Sequence, residues 1–314
     1  MLKKIKYRLK VFIVLRVFLN TWIYYFIYKS YWHSLFFSKK KINKSKKNFL
    51  STKVNYGARI GHQLANYNSA LFYSKKFNLA HVHTPFPDKK WEKTLDINSD
   101  SVASNKLIEI GYKKVQLPRF EENNTNQISK IKKIIKSYSD EKVIFFLEID
   151  QGYAAQYEVA HILQKKFFLS PQRKKDKLIY KKNFFNIAVH IRAGDILNSK
   201  KTLEQRNLNI EYFIKAINKS LSIISTKKQK KIYIFSEYYM KSFSKLKKFN
   251  NVKFCCNLNQ YITFLHFIYA DLLITSKSSF SYKAGLINKG IKLSPKRFWH
   301  KYPKNKKNWI LLDN

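Results

Sequence analysis

The sequence has 314 residues, of which 45% are apolar and 16% aromatic, enough to bury the core of one large α/β unit or two modest domains. That composition excludes a disordered tail protein and a small disulfide-stapled scaffold. Lys and Arg number 62 against 19 Asp and Glu, a formal net charge of +43 that raises nucleic acid and anionic membranes as partners. Only eight of the 62 are Arg and the Lys residues are spread along the chain, which favours compositional drift with a preference for acidic surfaces over a polynucleotide binder.

The N-terminus carries an apolar run over residues 11–28 with lysine clusters on both sides. A transmembrane helix needs about 20 apolar residues, and an Arg at its centre costs roughly 2.5–3.5 kcal/mol. One polar stripe recurs every four residues, at Arg16, Asn20, Tyr24 and Tyr28. We therefore predict that residues 1–48 form an apolar helix with basic flanks that attaches the protein to an anionic membrane surface. An ordinary helix packed on the core is the alternative.

Cys255 and Cys256 are adjacent in an apolar run, so they can form neither a disulfide framework nor a four-ligand zinc set. They are interpreted as inert core thiols in a reducing compartment. Together with the N-terminal segment, this favours a location at the cytoplasmic face of the membrane.

The second half of the chain alternates between apolar, β-rich runs and helix-length segments. The predicted strands cover residues 186–192, 231–236, 251–256, 271–275 and 289–293. The predicted helices between them cover residues 210–224, 238–247, 259–270 and 279–288. Such alternation predicts a doubly wound parallel sheet, and continuous apolar strands are typical of sheets buried on both faces.

Residues 50–150 repeat the alternation more weakly. A strand and turn are predicted at 52–60, a helix at 63–76, a short strand near His81 and a strand at 142–149. We predict an α/β fold of two Rossmann-like halves with a cleft between them, an N-terminal domain over residues 49–178 and a C-terminal domain over residues 179–314.

Ligands of open parallel sheets bind beyond the carboxyl ends of the strands. The run from His190 to Asp195 follows one predicted strand, and alternation puts His190 and Arg192 on the same side of it. The planar guanidinium fork of Arg192 suits phosphate oxygens. A structural Arg–Asp pair that closes the turn is the alternative.

A second turn, Ser276-Lys277-Ser278-Ser279-Phe280-Ser281, follows the predicted strand that begins at Asp271. Hydroxyls and backbone N–H groups at the start of a helix favour an anion site, with a plain helix cap as the alternative. Asp271 could bind the donor groups of a base or simply end the preceding helix. Neither turn is a Walker or GxGxxG loop, which disfavours ATP hydrolysis and simple dinucleotide chemistry.

Four segments resemble landmarks of one known family. They are, in chain order, Gly61-His62-Gln63 with Leu64-Ala65-Asn66-Tyr67, the run Gly152-Tyr153-Ala154-Ala155-Gln156-Tyr157, the run His190-Ile191-Arg192-Ala193-Gly194-Asp195, and Ser278-Ser279-Phe280-Ser281-Tyr282. The set is similar to the bacterial α-1,2-fucosyltransferases and, more distantly, to other GDP-fucose-dependent transferases with an HxRxxD turn. It spans roughly residues 54 to 300. His62 stands where the family has Asn, and Ala193 where it has a second Arg.

The resemblance implies a GT-B type glycosyltransferase that moves L-fucose from GDP-fucose to a galactoside hydroxyl of a cell-surface glycan, inverting and without a metal. It implies that Arg192 binds the donor diphosphate. The other donor-binding residues that it implies are Gly61, His62, Gln63, His190, Asp271, Ser278, Ser279 and Phe280. The base for the acceptor hydroxyl would be Asp195 or, in the polar loop that follows, Glu204.

The sequence contains no Asp-x-Asp pair of the kind that holds Mg²⁺ or Mn²⁺, so we expect no metal and no cofactor beyond the donor. Two alternatives stay open: a transferase of the same fold that uses another nucleotide sugar, and a non-catalytic basic protein that binds membrane or nucleic acid. The expected partners are the nucleotide-sugar donor, a glycan acceptor and an anionic membrane surface, with no nucleic acid.

Overall fold

The structure, a computed structural model, describes residues 23–37, 48–99, 101–193, 206–303 and 308–313. The chain divides into two compact units. The N-terminal unit takes in the described residues of Met1–Lys89 and Asp100–Tyr153, and the C-terminal unit those of Lys90–Ser99 and Ala154–Asn314. This division falls earlier in the chain than residue 178, where the sequence suggested the domain boundary.

The N-terminal unit contains a parallel sheet of four strands among its described residues, in the order β2-β1-β4-β3. The elements up to Tyr153 are α1 (Ile23–Phe26), α2 (Lys29–Phe36), β1 (Phe49–Thr52), α3 (Ile60–Lys76), β2 (Ala80–His81), α4 (Lys89–Leu95), α5 (Ser104–Glu109), β3 (Lys113–Gln116), α6 (Thr125–Ser137) and β4 (Val143–Leu147). Helix α4 belongs to the C-terminal unit from Lys90 onwards. The central strand β4 is buried along its whole length, as a strand covered on both faces should be.

The C-terminal unit contains a parallel sheet of six strands among its described residues, in the order β10-β9-β8-β5-β6-β7. Its elements after Tyr153 are α7 (Ala160–Leu169), β5 (Phe184–His190), α8 (Ile210–Ile223), β6 (Gln229–Ser236), β7 (Val252–Cys256), α9 (Gln260–Tyr269), β8 (Leu272–Ile274), α10 (Ser279–Ile287), β9 (Ile291–Pro295) and β10 (Trp309–Leu312). Two parallel sheets flanked by helices confirm the α/β class and are consistent with a GT-B type fold.

Three elements show how the structure departs from the sequence-based prediction. The first strand is Phe49–Thr52, so the predicted segment 52–60 is mostly loop. Helix α3 begins at Ile60 rather than at residue 63, which places Gly61 and His62 in its first turn. The predicted α-helix at 238–247 is a 3₁₀ helix, Lys241–Lys248, whose buried Phe243 and Leu246 are spaced three residues apart, the period of a 3₁₀ helix.

The single apolar helix predicted over residues 11–28 is wrong for the part of it that the structure describes, and residues 11–22 lie outside that part. Helix α1 ends at Phe26, and Tyr28 has extended backbone angles before α2 begins. The Tyr28 hydroxyl donates to Glu148 Oε1 at 3.3 Å and lies 2.8 Å from that of Tyr24. The two described residues of the polar stripe, Tyr24 and Tyr28, therefore contact protein rather than lipid headgroups. No helix within the described ranges has both the length and the hydropathy that crossing a membrane requires.

Candidate functional site

The carboxyl edge of the C-terminal sheet brings together the ends of β5 and β8, which are neighbouring strands. His190 is the last residue of β5, and Ser276 lies two residues beyond the end of β8. His190 Nδ1 and Ser276 Oγ are 2.9 Å apart, and both side chains are buried. The two turns that the sequence singled out therefore meet through a direct hydrogen bond.

The sequence predicted that Arg192 is the last residue of this strand. In the structure it lies two residues beyond the strand end. The strand ends at His190, and the backbone N–H of Ile191 donates to the carbonyl oxygen of Phe235 at 2.9 Å. Arg192 is half-buried, whereas Ala193 is 1% exposed, so the chain turns inward again directly after the arginine. Arg192 thus lies just beyond the carboxyl end of β5, where ligands of parallel sheets bind.

The imidazole of His190 lies in an apolar setting, with ring centroids 5.1 Å from Phe267 and 5.9 Å from Phe280. Burial, with the positive charge of Arg192 as a second cause, lowers the pKa of His190 to about 3. His190 is therefore neutral at physiological pH. Its ring contacts Ser276 through a hydrogen bond and Phe267 and Phe280 through packing, not through charge.

Helix α10 starts at the same edge. Ser278 caps it, because the Ser278 Oγ accepts a hydrogen bond from the backbone N–H of Phe280 at 3.3 Å. Ser279 Oγ lies 3.1 Å from Nε2 of His300. The first turn of an α-helix presents backbone N–H groups and a partial positive charge, both of which favour a phosphate.

Two further cations lie at this edge. Lys277 follows β8 and Arg297 follows β9, the strand paired with β8 on its other side. Burial, and then the charge of Arg297, lowers the pKa of Lys277, which shows that the two cations are close. Neither Arg297 nor His300 is among the residues that the sequence predicts for the site, and Ser276 is predicted only as part of the turn before α10. The available signal for Arg297 was its place after the predicted strand 289–293 and the rarity of Arg in this chain.

Two residues of the second sequence landmark, Ala154 and Gln156, also make contacts within this unit. Lys283, one turn into α10 and 1% exposed, donates from Nζ to Oε1 of Gln156. Burial holds the pKa of Lys283 well below its usual range. The backbone N–H of Lys301 donates to the carbonyl oxygen of Ala154 at 3.2 Å. The first of these contacts ties Gln156 to the helix whose start forms the candidate anion site.

Asp271 lies at the opposite edge of the sheet, so the structure does not bring it together with His190. It precedes β8, and its Oδ2 accepts hydrogen bonds from the backbone N–H of Asn186 at 2.7 Å and from the Asn186 side-chain amide at 3.3 Å. Asn186 lies near the amino end of β5, because Ile187 pairs with Leu272. Asp271 joins the amino ends of two strands, and a base-binding role is not what its contacts support.

Gly61, His62 and Gln63 occupy the first turn of α3 in the N-terminal unit. Gln63 is buried, and its amide Nε2 donates to the carbonyl oxygens of Asn55 and Ala58, the second at 3.2 Å. His62 is exposed and Gly61 is buried. The cavity beside Gln63 has a volume of about 10 Å³, close to the space that one water molecule needs. The structure thus shows Gln63 holding the loop before its helix.

Gly194, Asp195 and Glu204 lie outside the described residues, so the two candidate bases stay predictions. Within the described residues no group of three or more His, Cys, Asp and Glu side chains could hold a metal ion. Cys255 is buried and Cys256 half-buried, both as free thiols. Burial raises the pKa of Cys255 to about 11, in keeping with an inert core thiol.

The chain shares its fold with POFUT1. It superposes on POFUT1 in complex with GDP-fucose with a TM-score of 0.52 at 14% identity, covering 81% of this chain and 98% of that one. For the apo form of POFUT1 the TM-score is 0.50 at 15% identity, with 79% and 96% covered. For fucosyltransferase NodZ from Bradyrhizobium it is 0.47 at 13% identity, with 78% and 94% covered. No protein-family model and no curated protein matches the sequence.

At these identities the likeness to POFUT1 is one of fold. Both units take part in it, because the match covers about four fifths of this chain and nearly the whole of that one. It supports the architecture that the resemblance to GDP-fucose-dependent transferases implied, whereas the linkage that this chain makes and its acceptor are matters for proposal.

Proposed function

We propose that this protein is a glycosyltransferase that transfers L-fucose from GDP-fucose. One observation carries the proposal: Arg192, the His190–Ser276 pair and the start of α10 meet at the carboxyl edge of the C-terminal sheet. The fold is that of POFUT1, a protein solved in complex with GDP-fucose. A diphosphate fits this edge because a guanidinium fork and helix N–H groups both bind phosphate oxygens.

The chemistry follows from the charge that develops when the donor breaks. Fucose leaves a GDP whose terminal phosphate gains negative charge, and fixed cations at that place stabilise the transition state. Arg192, Lys277 and Arg297 with the α10 N-terminus supply such a field. We propose that these groups do the work that a divalent ion does in other transferases, so that transfer survives EDTA.

Inversion at the anomeric carbon requires a base that takes the proton from the acceptor hydroxyl. Asp195 and Glu204 are the two candidates, both in the segment that follows Arg192. The neutral replacements Asp195→Asn and Glu204→Gln separate them. Loss of the true base should lower turnover by about 10²–10⁴-fold while GDP still binds.

The finer part of the proposal is the product. We propose an α-1,2 linkage to a galactoside of a cell-surface glycan, on the strength of the His190–Asp195 and Ser278–Tyr282 segments, which resemble those of bacterial α-1,2-fucosyltransferases. We also propose that the enzyme works at the cytoplasmic face of the membrane.

A donor screen tests the function. The full chain is offered GDP-fucose, GDP-mannose, UDP-sugars and CMP-sugars with a panel of β-galactosides, with and without EDTA, and products are detected by mass spectrometry. We expect a single added deoxyhexose from GDP-fucose in both conditions. Transfer from another donor alone would assign a different sugar, and loss of activity in EDTA with recovery in Mn²⁺ would contradict the cation-based site.

A further inference from the structure

The segment 23–37, which contains helices α1 and α2, carries exposed apolar side chains. They are the large side chains Ile23, Ile27, Trp32, Leu35, Phe36 and Phe37, together called here the Trp32 surface. Phe36 is 75% exposed and Ile27 64% exposed, which is unusual for residues of this size. A run of large apolar side chains on one short segment marks a site of interaction with another protein or with lipid.

The opposite face of the same segment is fixed to the N-terminal unit. Tyr24 and Tyr25 are buried, and the backbone N–H of Arg119 donates to the Tyr24 hydroxyl at 2.8 Å. Ser30 Oγ donates to the carbonyl oxygen of Gln116 at 2.5 Å. These contacts orient α1 and α2, so the Trp32 surface cannot turn inward without breaking them.

His33 provides a further anchor, on α6. Its Nδ1 lies 2.9 Å from Oγ of Ser137, its Nε2 lies 3.1 Å from Oε1 of Glu141, and its ring stacks on Tyr138 with centroids 3.7 Å apart. Helix α2 therefore packs against α6 near the C-terminal end of that helix.

The surroundings of the Trp32 surface are positively charged. No Asp or Glu precedes Asp88 in the sequence. Lys29 lies within the segment, and α6 exposes Lys132, Lys133 and Lys136. Two carboxylates that lie within hydrogen-bond distance of the segment are each paired with a lysine. These pairs are Glu141 with Lys113 at 2.7 Å and Glu148 with Lys53 at 3.1 Å.

We propose that the Trp32 surface docks on a lipid bilayer that contains anionic headgroups. Interfacial helices attach in two ways at once. Their apolar side chains enter the boundary between headgroups and acyl chains, and nearby lysines bind lipid phosphates. An acidic protein partner would not need six apolar side chains, and a second copy of this chain would bring lysines against lysines. This proposal rests on the membrane location given in the proposed function, and it names the residues that make the contact. It does not depend on the donor sugar.

Sedimentation of the full chain with vesicles tests this surface. The vesicles are phosphatidylcholine alone or with phosphatidylserine, and the variant is the double substitution Ile27→Asp with Phe36→Asp. We expect the wild type to sediment with the phosphatidylserine vesicles, and the variant to bind them at least about tenfold more weakly, since it replaces two inserted side chains by repelled charges.

The matched control is Ile110→Asp with Leu169→Asp, which changes two apolar side chains of similar exposure, 68% and 72%, by the same charge. It should sediment like the wild type. GDP affinity, measured by calorimetry, should be equal in all three proteins and separates a docking failure from a failure of the donor site. Equal vesicle binding by both double variants, or no binding by the wild type, would overturn the proposal. So would a wild-type dimer in sedimentation equilibrium that the Trp32-surface variant alone converts to a monomer.

Discussion

The N-terminal and C-terminal units each turn from a loop into a helix at a sequence landmark, and the two turns use their polar groups in different ways. At the start of α3, Gln63 directs its amide back to two carbonyl oxygens of the preceding loop, and the cap residue Arg59 makes no side-chain capping bond. At the start of α10, Ser278 caps the helix, and the preceding Ser276 bonds to the neighbouring strand end at His190. The polar group of the α3 turn bonds within its own loop, whereas the α10 turn is hydrogen-bonded to the end of a neighbouring strand.

The two turns also differ in the charged side chains beside them. Beside α10 lie Lys277 and Arg297, close enough for the charge of one to lower the pKa of the other. Holding like charges together costs free energy in an empty site and returns it when an anion binds. If the proposed donor site is correct, a helix N-terminus after a strand binds an anion only where a neighbouring strand end and its cations adjoin it.

The largest expected effect comes from Arg192. If it clamps the donor diphosphate, Arg192→Ala should cost at least about 3 kcal/mol of transition-state stabilisation in kcat/KM for GDP-fucose. Arg192→Lys should recover little, because a point charge does not replace a bidentate fork. Arg59→Ala, at the corresponding turn of the N-terminal unit, is the control and should leave kcat/KM within about twofold. An equal loss at Arg59 would break the contrast between the turns.

The second effect is a pH dependence of stability that His190 contributes. Its pKa is about 3 in the folded chain, against about 6.5 for an ordinary imidazole, so the unfolded chain binds a proton that the folded chain does not. The stabilisation is therefore complete above about pH 6.5 and is lost as the pH falls towards 3, at about 1.4 kcal/mol per pH unit.

Urea unfolding of the wild type and of His190→Asn between pH 7 and about pH 4.5 measures this slope. As the pH falls, the free energy of unfolding of the variant should decrease less steeply than that of the wild type, by about 1.4 kcal/mol per pH unit. This difference in slope does not depend on the stability of the variant at pH 7. His62→Asn, at the exposed position in the first turn of α3, controls for the loss of an imidazole. Parallel curves for wild type and His190→Asn would show that His190 is solvated rather than buried in the site.

The strands and helices of the C-terminal unit could be predicted from sequence because each is a local pattern. Apolar β-rich runs and helix-length segments gave the order of elements with small errors at the ends. The contacts of Asp271 could not be predicted in this way. A residue that begins a strand of a parallel sheet lies at the amino edge, but only the register of β5 with β8 shows that Asp271 faces Asn186. Arg297 was missed for the same reason, since its closeness to Lys277 depends on the pairing of β8 with β9.

Asp271 also gives the third expected effect. Asp271→Ala should lower the free energy of unfolding by about 1–3 kcal/mol, because the buried backbone N–H of Asn186 loses its acceptor. GDP affinity should be unchanged, since the residue lies at the edge of the sheet opposite His190. Calorimetric titration of GDP into the folded variant decides the point. A weakened affinity in a variant that unfolds like the wild type would return Asp271 to the donor site.

The smallest effect concerns Gln63, and it tests the N-terminal turn directly. Gln63→Met keeps the length of the side chain but removes the donors that bind the carbonyl oxygens of Asn55 and Ala58. Each neutral hydrogen bond contributes about 1 kcal/mol net, so the variant should unfold about 1–2 kcal/mol more easily. Because these bonds are local to the loop, GDP affinity should change by no more than about twofold.

The exposed neighbour His62, replaced by Ala, is the control for Gln63→Met and should change neither quantity. The resemblance to fucosyltransferases implied a donor role for both side chains. If either variant loses GDP affinity to the extent expected of Arg192→Ala while keeping its stability, the α3 turn binds the nucleotide after all. The cations and the two joined strand ends at the α10 turn would then be only half of the donor site. If stability alone falls, and only for Gln63→Met, the amide serves to hold a loop, and recognition of the diphosphate belongs to the C-terminal unit.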